Sequence, residues 1–124
     1  METMLASGVT KTAAGAETGV SVAALDPAAA VLWVQFGPLS SVTGVPSARV
    51  VIEQSATGDF DDTIPVAEFS SVGPIGAKAP VRVSQRLAAA PVTLIGAASA
   101  KMRANLVQLL GGTPSLTYSA GIST

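Results

Sequence analysis

The sequence predicts an all-β fold, an antiparallel β-sandwich of about eight short strands, jelly-roll or immunoglobulin-like. Apolar and polar residues alternate over short runs, which places successive side chains on opposite faces of a strand. Glycine and proline interrupt these runs at regular intervals, as the turns of a sandwich require. Helix competes in one window only, residues 84–110, which is rich in Ala and Leu; Pro91 and Gly96 break it.

Residues 1–19 are mostly Ala, Gly, Thr, Ser and Glu and keep neither the helical nor the strand period. They read as an extended N-terminal arm, ordered where it lies on a neighbour, ahead of a sandwich domain at 20–124. Strands are expected at Val20 to Leu25, ending at Asp26-Pro27, and at Val31 to Phe36, nearly all apolar and stopped by Gly37-Pro38. From Ser47 to Gln54, Ala48, Val50 and Ile52 oppose Arg49, Val51 and Glu53; Ser55 to Asp62 is a polar loop, and Ile64 to Ser70 the returning strand. Val81 to Arg86 and Val92 to Ala97 follow. In the last quarter Met102, Ala104 and Leu106 share one face, and Leu116, Tyr118, Ala120 and Ile122 another. Gly111-Gly112-Thr113-Pro114 between them reads as the turn of an antiparallel hairpin.

Composition narrows the function. The 124 residues suit one domain, and they include no cysteine and no histidine. That removes disulfides, thiolate nucleophiles, the commonest metal ligands and the commonest general base. An enzyme is not expected, and no cofactor or metal is called for. Seven basic and eight acidic residues make only 12% of the chain, against about a quarter in ordinary domains. The cations are scattered, so no nucleic-acid footprint forms. Mean hydropathy is +0.52, yet no apolar run reaches the roughly 18 residues of a membrane span. The first residues also lack the positive start of a secretory signal. A chain this apolar and this weakly charged is expected to hide surface against other subunits.

The acidic cluster Asp59, Asp61 and Asp62 offers oxygen ligands for a cation. Its spacing is not that of a calcium loop, and a hairpin loop built from turn formers is the simpler reading. Glu53 and Glu68, on neighbouring strands, could form a glycosidase pair. With one Trp, one Tyr and three Phe in the chain, a sugar platform is poorly supplied, so both read as solvated residues paired with Arg49 or Arg82. Trp33 and Phe36 read as core anchors. No serine has a histidine partner, and Gly111-Gly112-Thr113-Pro114 lacks the lysine of a phosphate loop.

Three segments carry a resemblance: Val51-Ile-Glu-Gln-Ser-Ala-Thr-Gly-Asp-Phe, Val81-Arg-Val, and Gly111-Gly-Thr-Pro-Ser-Leu-Thr-Tyr-Ser. In this order they resemble small β-sandwich virion proteins of tailed bacteriophages, found among head decoration (cement) proteins, over residues 31–122. That family often has Trp after the Ser-x-x-Gly turn, where this chain has Phe60. The resemblance implies a virion protein on the capsid surface, with the major capsid protein and copies of itself, commonly as a homotrimer, as partners. Another virion component (tail, neck or fibre base) and a carbohydrate-binding sandwich module are the alternatives.

Overall fold

The computed structural model describes residues 2–22, 30–75, 80–86 and 99–124. Among these residues nine strands run β1 (Glu2–Lys11), β2 (Gly15–Ala16), β3 (Val20–Ser21), β4 (Val31–Ser40), β5 (Thr43–Ser55), β6 (Ile64–Val72), β7 (Val81–Arg86), β8 (Lys101–Gly112) and β9 (Ser115–Ser123). They form two antiparallel sheets, ordered β1-β9-β4-β7 and β2-β8-β5-β6, with β3 also paired to β8. The all-β sandwich is therefore as expected.

β2 and β3 lie on the same edge of β8, Gly15 opposite Leu106 and Val20 opposite Met102. Counted as one interrupted strand they leave eight, four to a sheet, in the orders 1-8-3-6 and 2-7-4-5. That is jelly-roll connectivity rather than immunoglobulin-like. Among the described strands only β5 and β6 are consecutive and paired with each other.

The last quarter is accordingly not a hairpin. β8 belongs to one sheet and β9 to the other, and Gly111 to Pro114 arch across the gap between them. Alternation survives because both arms still turn their apolar faces inward. Met102, Ala104 and Leu106 face Leu116, Tyr118, Ala120 and Ile122 across the core, and all seven are buried. Helix in 101–110 is excluded by β8. Leu32, Val34, Phe36 and Leu39 of β4 join them with Val50 and Ile52 of β5. Each fully buried side chain of this size contributes about 1.5–3 kcal/mol.

Residues 2–19 do not stand off as an arm. β1 is the edge of the first sheet, paired from Glu2–Ser123 to Lys11–Leu116, and buries Leu5 and Ala6. Its period is hidden in the sequence because the register shifts between Met4 and Ala6 and again between Ala6 and Val9, and Gly8 sits at φ 57°. Gly37-Pro38 does not end its strand either: a register shift between Phe36 and Leu39 absorbs the pair, and β4 runs on to Ser40. A bulge tolerates proline because the extra residue needs no ladder bond. The expected strand at Val92 to Ala97 and the Asp26-Pro27 turn lie outside the described residues.

Two outcomes test this architecture. Leu116→Asp or Ile52→Asp puts an unpaired charge in the core and costs several kcal/mol, so circular dichroism should show loss of the cooperative transition. Deleting residues 1–19 removes β1 and β2, an edge of each sheet, and should abolish cooperative unfolding too; a deletion product that melts like the full chain would show that both are dispensable.

Candidate interaction surface

Loop 56–63, which holds the acidic cluster, is built around Ser55. The Ser55 hydroxyl donates to Asp62 Oδ1 (2.6 Å) and accepts from the backbone N–H groups of Gly58 (3.0 Å) and Phe60 (3.2 Å). Asp62 Oδ2 accepts from the Ala56 N–H (3.1 Å), and Asp59 Oδ1 from the Thr57 hydroxyl (2.6 Å) and the Asp61 N–H (3.0 Å). The Ser55 hydroxyl above all, with the Ala56 N–H, holds the Asp62 carboxyl below its ordinary value, against a smaller opposing effect of burial. The Thr57 hydroxyl does the same for Asp59. These oxygens are committed to shaping the loop, and no group of three acidic side chains among the described residues converges on a point that could hold a metal ion. Phe60 adopts φ 60°, a left-handed conformation that a bulky residue takes only when its surroundings enforce it.

That loop folds back over the outer face of the second sheet. The Phe60 ring packs on the Arg103 guanidinium, 4.2 Å from its centroid. Beneath it Glu53 is only 5% exposed; it accepts from Asn105 Nδ2 and pairs with Arg103 at 3.4 Å. Glu53 is thus not the solvated residue expected from strand alternation, because a loop from the same chain covers it. Glu68 is exposed and pairs with Arg49 (3.4 Å) as expected, a contact of about 0–1 kcal/mol. The two glutamates are held by separate partners, Glu53 by Arg103 and Asn105 and Glu68 by Arg49.

Trp33 is buried, but not in the core. It lies on the outer face of the first sheet, under the Arg82 guanidinium (4.3 Å to the ring centroid), and its Nε1–H donates to Glu2 Oε2 at 2.9 Å. Glu2 also accepts from the Ser123 hydroxyl (2.6 Å), which with the indole holds its carboxyl below the usual range. Gly121 is required beside it, since a Cβ there would come within 2.7 Å of the indole. Phe36 is a core anchor as expected. Tyr118 is buried between the sheets, where its hydroxyl donates to Glu17 Oε1 (3.3 Å), itself paired with Lys11 at 3.1 Å. Burial, then the Glu17 charge, pushes the phenol pKa far upward. All five aromatic residues are described, and none is exposed.

Apolar exposure gathers elsewhere, at the end of the sandwich where β4 passes to β5, β6 ends, and β8 arches to β9. Val42 is 78% exposed, Val72 73%, Val45 66% and Leu110 50%. Val72 and Leu110 flank Ser47 from its two neighbouring strands. This apex is tightly braced. The Val42 N–H donates to Gly112 O (2.8 Å), the Gly73 N–H to Pro46 O (2.8 Å), and Leu39 and Ile75 exchange two backbone bonds. Gly112 passes so close to β5 that a Cβ on it would collide with the Thr43 hydroxyl. Sequence reasoning left Val42, Val45 and Val72 between its expected strands and Leu110 at the end of one, and missed the apex, because no single segment carries it.

Compared with known proteins, the chain matches no family model, no curated protein and no solved structure.

Ser55→Ala should destabilise the protein by about 1–3 kcal/mol, because the Gly58 and Phe60 amides lose their acceptor; chemical denaturation measures it. The depressed Asp62 carboxyl stabilises the fold fully above its ordinary value of 3.8, and that contribution disappears as pH falls through the lower folded value. Asp62→Asn should therefore be less stable than the native chain at pH 7 and lose less stability on acidification below 3.8.

Proposed function

We propose that this chain is a virion structural protein, a capsid decoration or cement protein that binds the outside of a tailed-phage head and stabilises the lattice. The observation that carries the reading is the braced apex, with four outward apolar side chains and no charged one exposed with them among the described residues. Elsewhere the polar groups described above are occupied within the chain itself. Such a molecule acts by adhesion: it offers shape and apolar area, while Glu53, Glu68, Asp59 and Asp62 are engaged in structural contacts. The three-segment resemblance to decoration proteins points the same way. Jelly rolls include viral capsid domains but also lectins, so the fold supports the reading only by analogy. Weak contacts suffice for a cement protein, because many copies on one lattice raise the effective concentration of each.

A carbohydrate-binding module fits less well. Sugar recognition of that kind needs an open aromatic face, and Trp33 is sealed by Arg82 and Tyr118 lies inside.

Quantitative mass spectrometry of gradient-purified particles tests the proposal. Hundreds of copies per particle are expected. A handful would move the protein to a tail, neck or fibre-base position, and its absence from particles would remove the virion role.

A further inference from the structure

We infer that residues Glu2–Met4 form an acid-released clasp on the first sheet, hinged at the first register shift of β1 and closed by the Glu2 carboxylate. Release frees the edge of β9 from Gly121 to Ser123 and uncovers Trp33. The clasp is independent of the apex and of any partner.

One side chain joins all four strands of that sheet. Glu2 of β1 accepts at Oε2 from the Trp33 indole of β4 (2.9 Å) and at Oε1 from the Ser123 hydroxyl of β9 (2.6 Å). Its Oε1 also lies 3.9 Å from Arg82 Nη2 of β7, and Arg82 in turn covers the indole. Protonation weakens all three contacts together, since hydrogen bonds to a carboxylate are roughly twice as strong as those to a neutral acceptor. The sheet holds no substitute. Glu2 is the single Asp or Glu on β1, β4, β7 and β9, whereas these strands carry Lys11, Arg82 and Arg86. Arg86 stands in the same cross-strand row as Glu2, through Val31 and Ser123. Tyr118 of β9 is turned inward, to Glu17. Protonating Glu2 therefore leaves the side chains of this sheet with positive charge only.

The clasp is mechanically separate from the rest of β1. Glu2, Thr3 and Met4 pair with Ser123, Ile122 and Gly121, and the register then shifts before Ala6. Beyond the shift, β1 is held first by groups that do not titrate. Leu5 and Ala6 are buried, the Gly8 N–H donates to the Ser119 hydroxyl (2.8 Å), and the Thr10 and Thr117 hydroxyls share a bond (2.8 Å). At its far end Lys11 pairs with Glu17. Three residues ahead of a ladder break, with Met4 exposed, are the part of the sheet that opens most readily. Met4 pairs with Gly121, and the indole lies directly over that glycine. Opening thus takes from Trp33 its hydrogen-bond acceptor and its neighbouring backbone at once.

The Ser123 hydroxyl foremost, then the indole, Arg82 and the amino-terminal charge, hold the Glu2 carboxyl below its ordinary 4.5 against an opposing effect of burial. A lowered folded value means that the carboxylate's contribution is complete above 4.5 and is lost as pH falls through the folded value.

Trp33 is the one tryptophan in the chain, so its emission reads the clasp. In the native chain, acidification below 4.5 should shift the emission to the red and raise acrylamide quenching about threefold, at pH values where far-UV circular dichroism still shows intact sheets. Glu2→Ala should show the opened emission already at pH 7. Glu2→Gln, which has no carboxylate to protonate, should show no acid step. Asp62→Asn, in the acidic loop of the other sheet, should keep the step. An acid step of native size in Glu2→Gln overturns the inference, and so does its loss in Asp62→Asn. A native emission change that coincides with loss of the circular dichroism signal, or a Glu2→Ala variant with native emission and quenching at pH 7, overturns it too.

Discussion

The closure of two inner faces against each other governs the rest of the molecule. Each sheet is apolar on one side only, and neither could stay in water with that side open. The jelly-roll path meets this demand by sending the chain from sheet to sheet at nearly every turn, so that segments adjacent in sequence face each other across the core. Leu106 and Leu116 lie on either side of an arch and bury from opposite sheets. The same path explains why the N-terminal segment belongs to the fold. β1 closes the edge of the first sheet, and after crossing over, β2 and β3 close the edge of the second.

The outer faces are finished by polar contacts that reach far along the chain. Glu2 joins Trp33, Arg82 and Ser123 at one end of the first sheet. Ser55 organises a loop that lays Phe60 over Arg103 and Glu53 on the second. Only the second buries its charge: Glu53 is nearly covered and finds its partners in the same molecule, whereas Glu2 stays exposed. A side chain already satisfied this way has little to offer a substrate or an ion. The apex is of another kind: its backbone is cross-bonded at Val42, Gly73, Leu39 and Ile75, and four exposed side chains on it are apolar. Rigidity there matters physically: a mobile apolar tip would lose on ordering much of what it gains on burial.

Strand identity and facing were legible in the residues alone. Alternation around Val50, Met102 and Tyr118 reports which side of a strand is inward, a local property with a period of two. The exclusion of thiol and imidazole chemistry needed nothing beyond composition. Neighbour relations were not legible, because a hairpin and an arch present the same alternation and the same Gly/Pro punctuation; only long-range pairing separates them. The same holds for β1, whose register shifts erase its period, and for Gly37-Pro38, which a bulge absorbs. Trp33 and Glu53 show the limit most directly. One apolar residue sits outside the core and one acid sits nearly buried, each because a residue distant in sequence covers it, and coverage is decided by the packed chain. The apex belongs to the same class: three uncharged segments are visible in the sequence, but their convergence into one surface is a consequence of the tertiary fold.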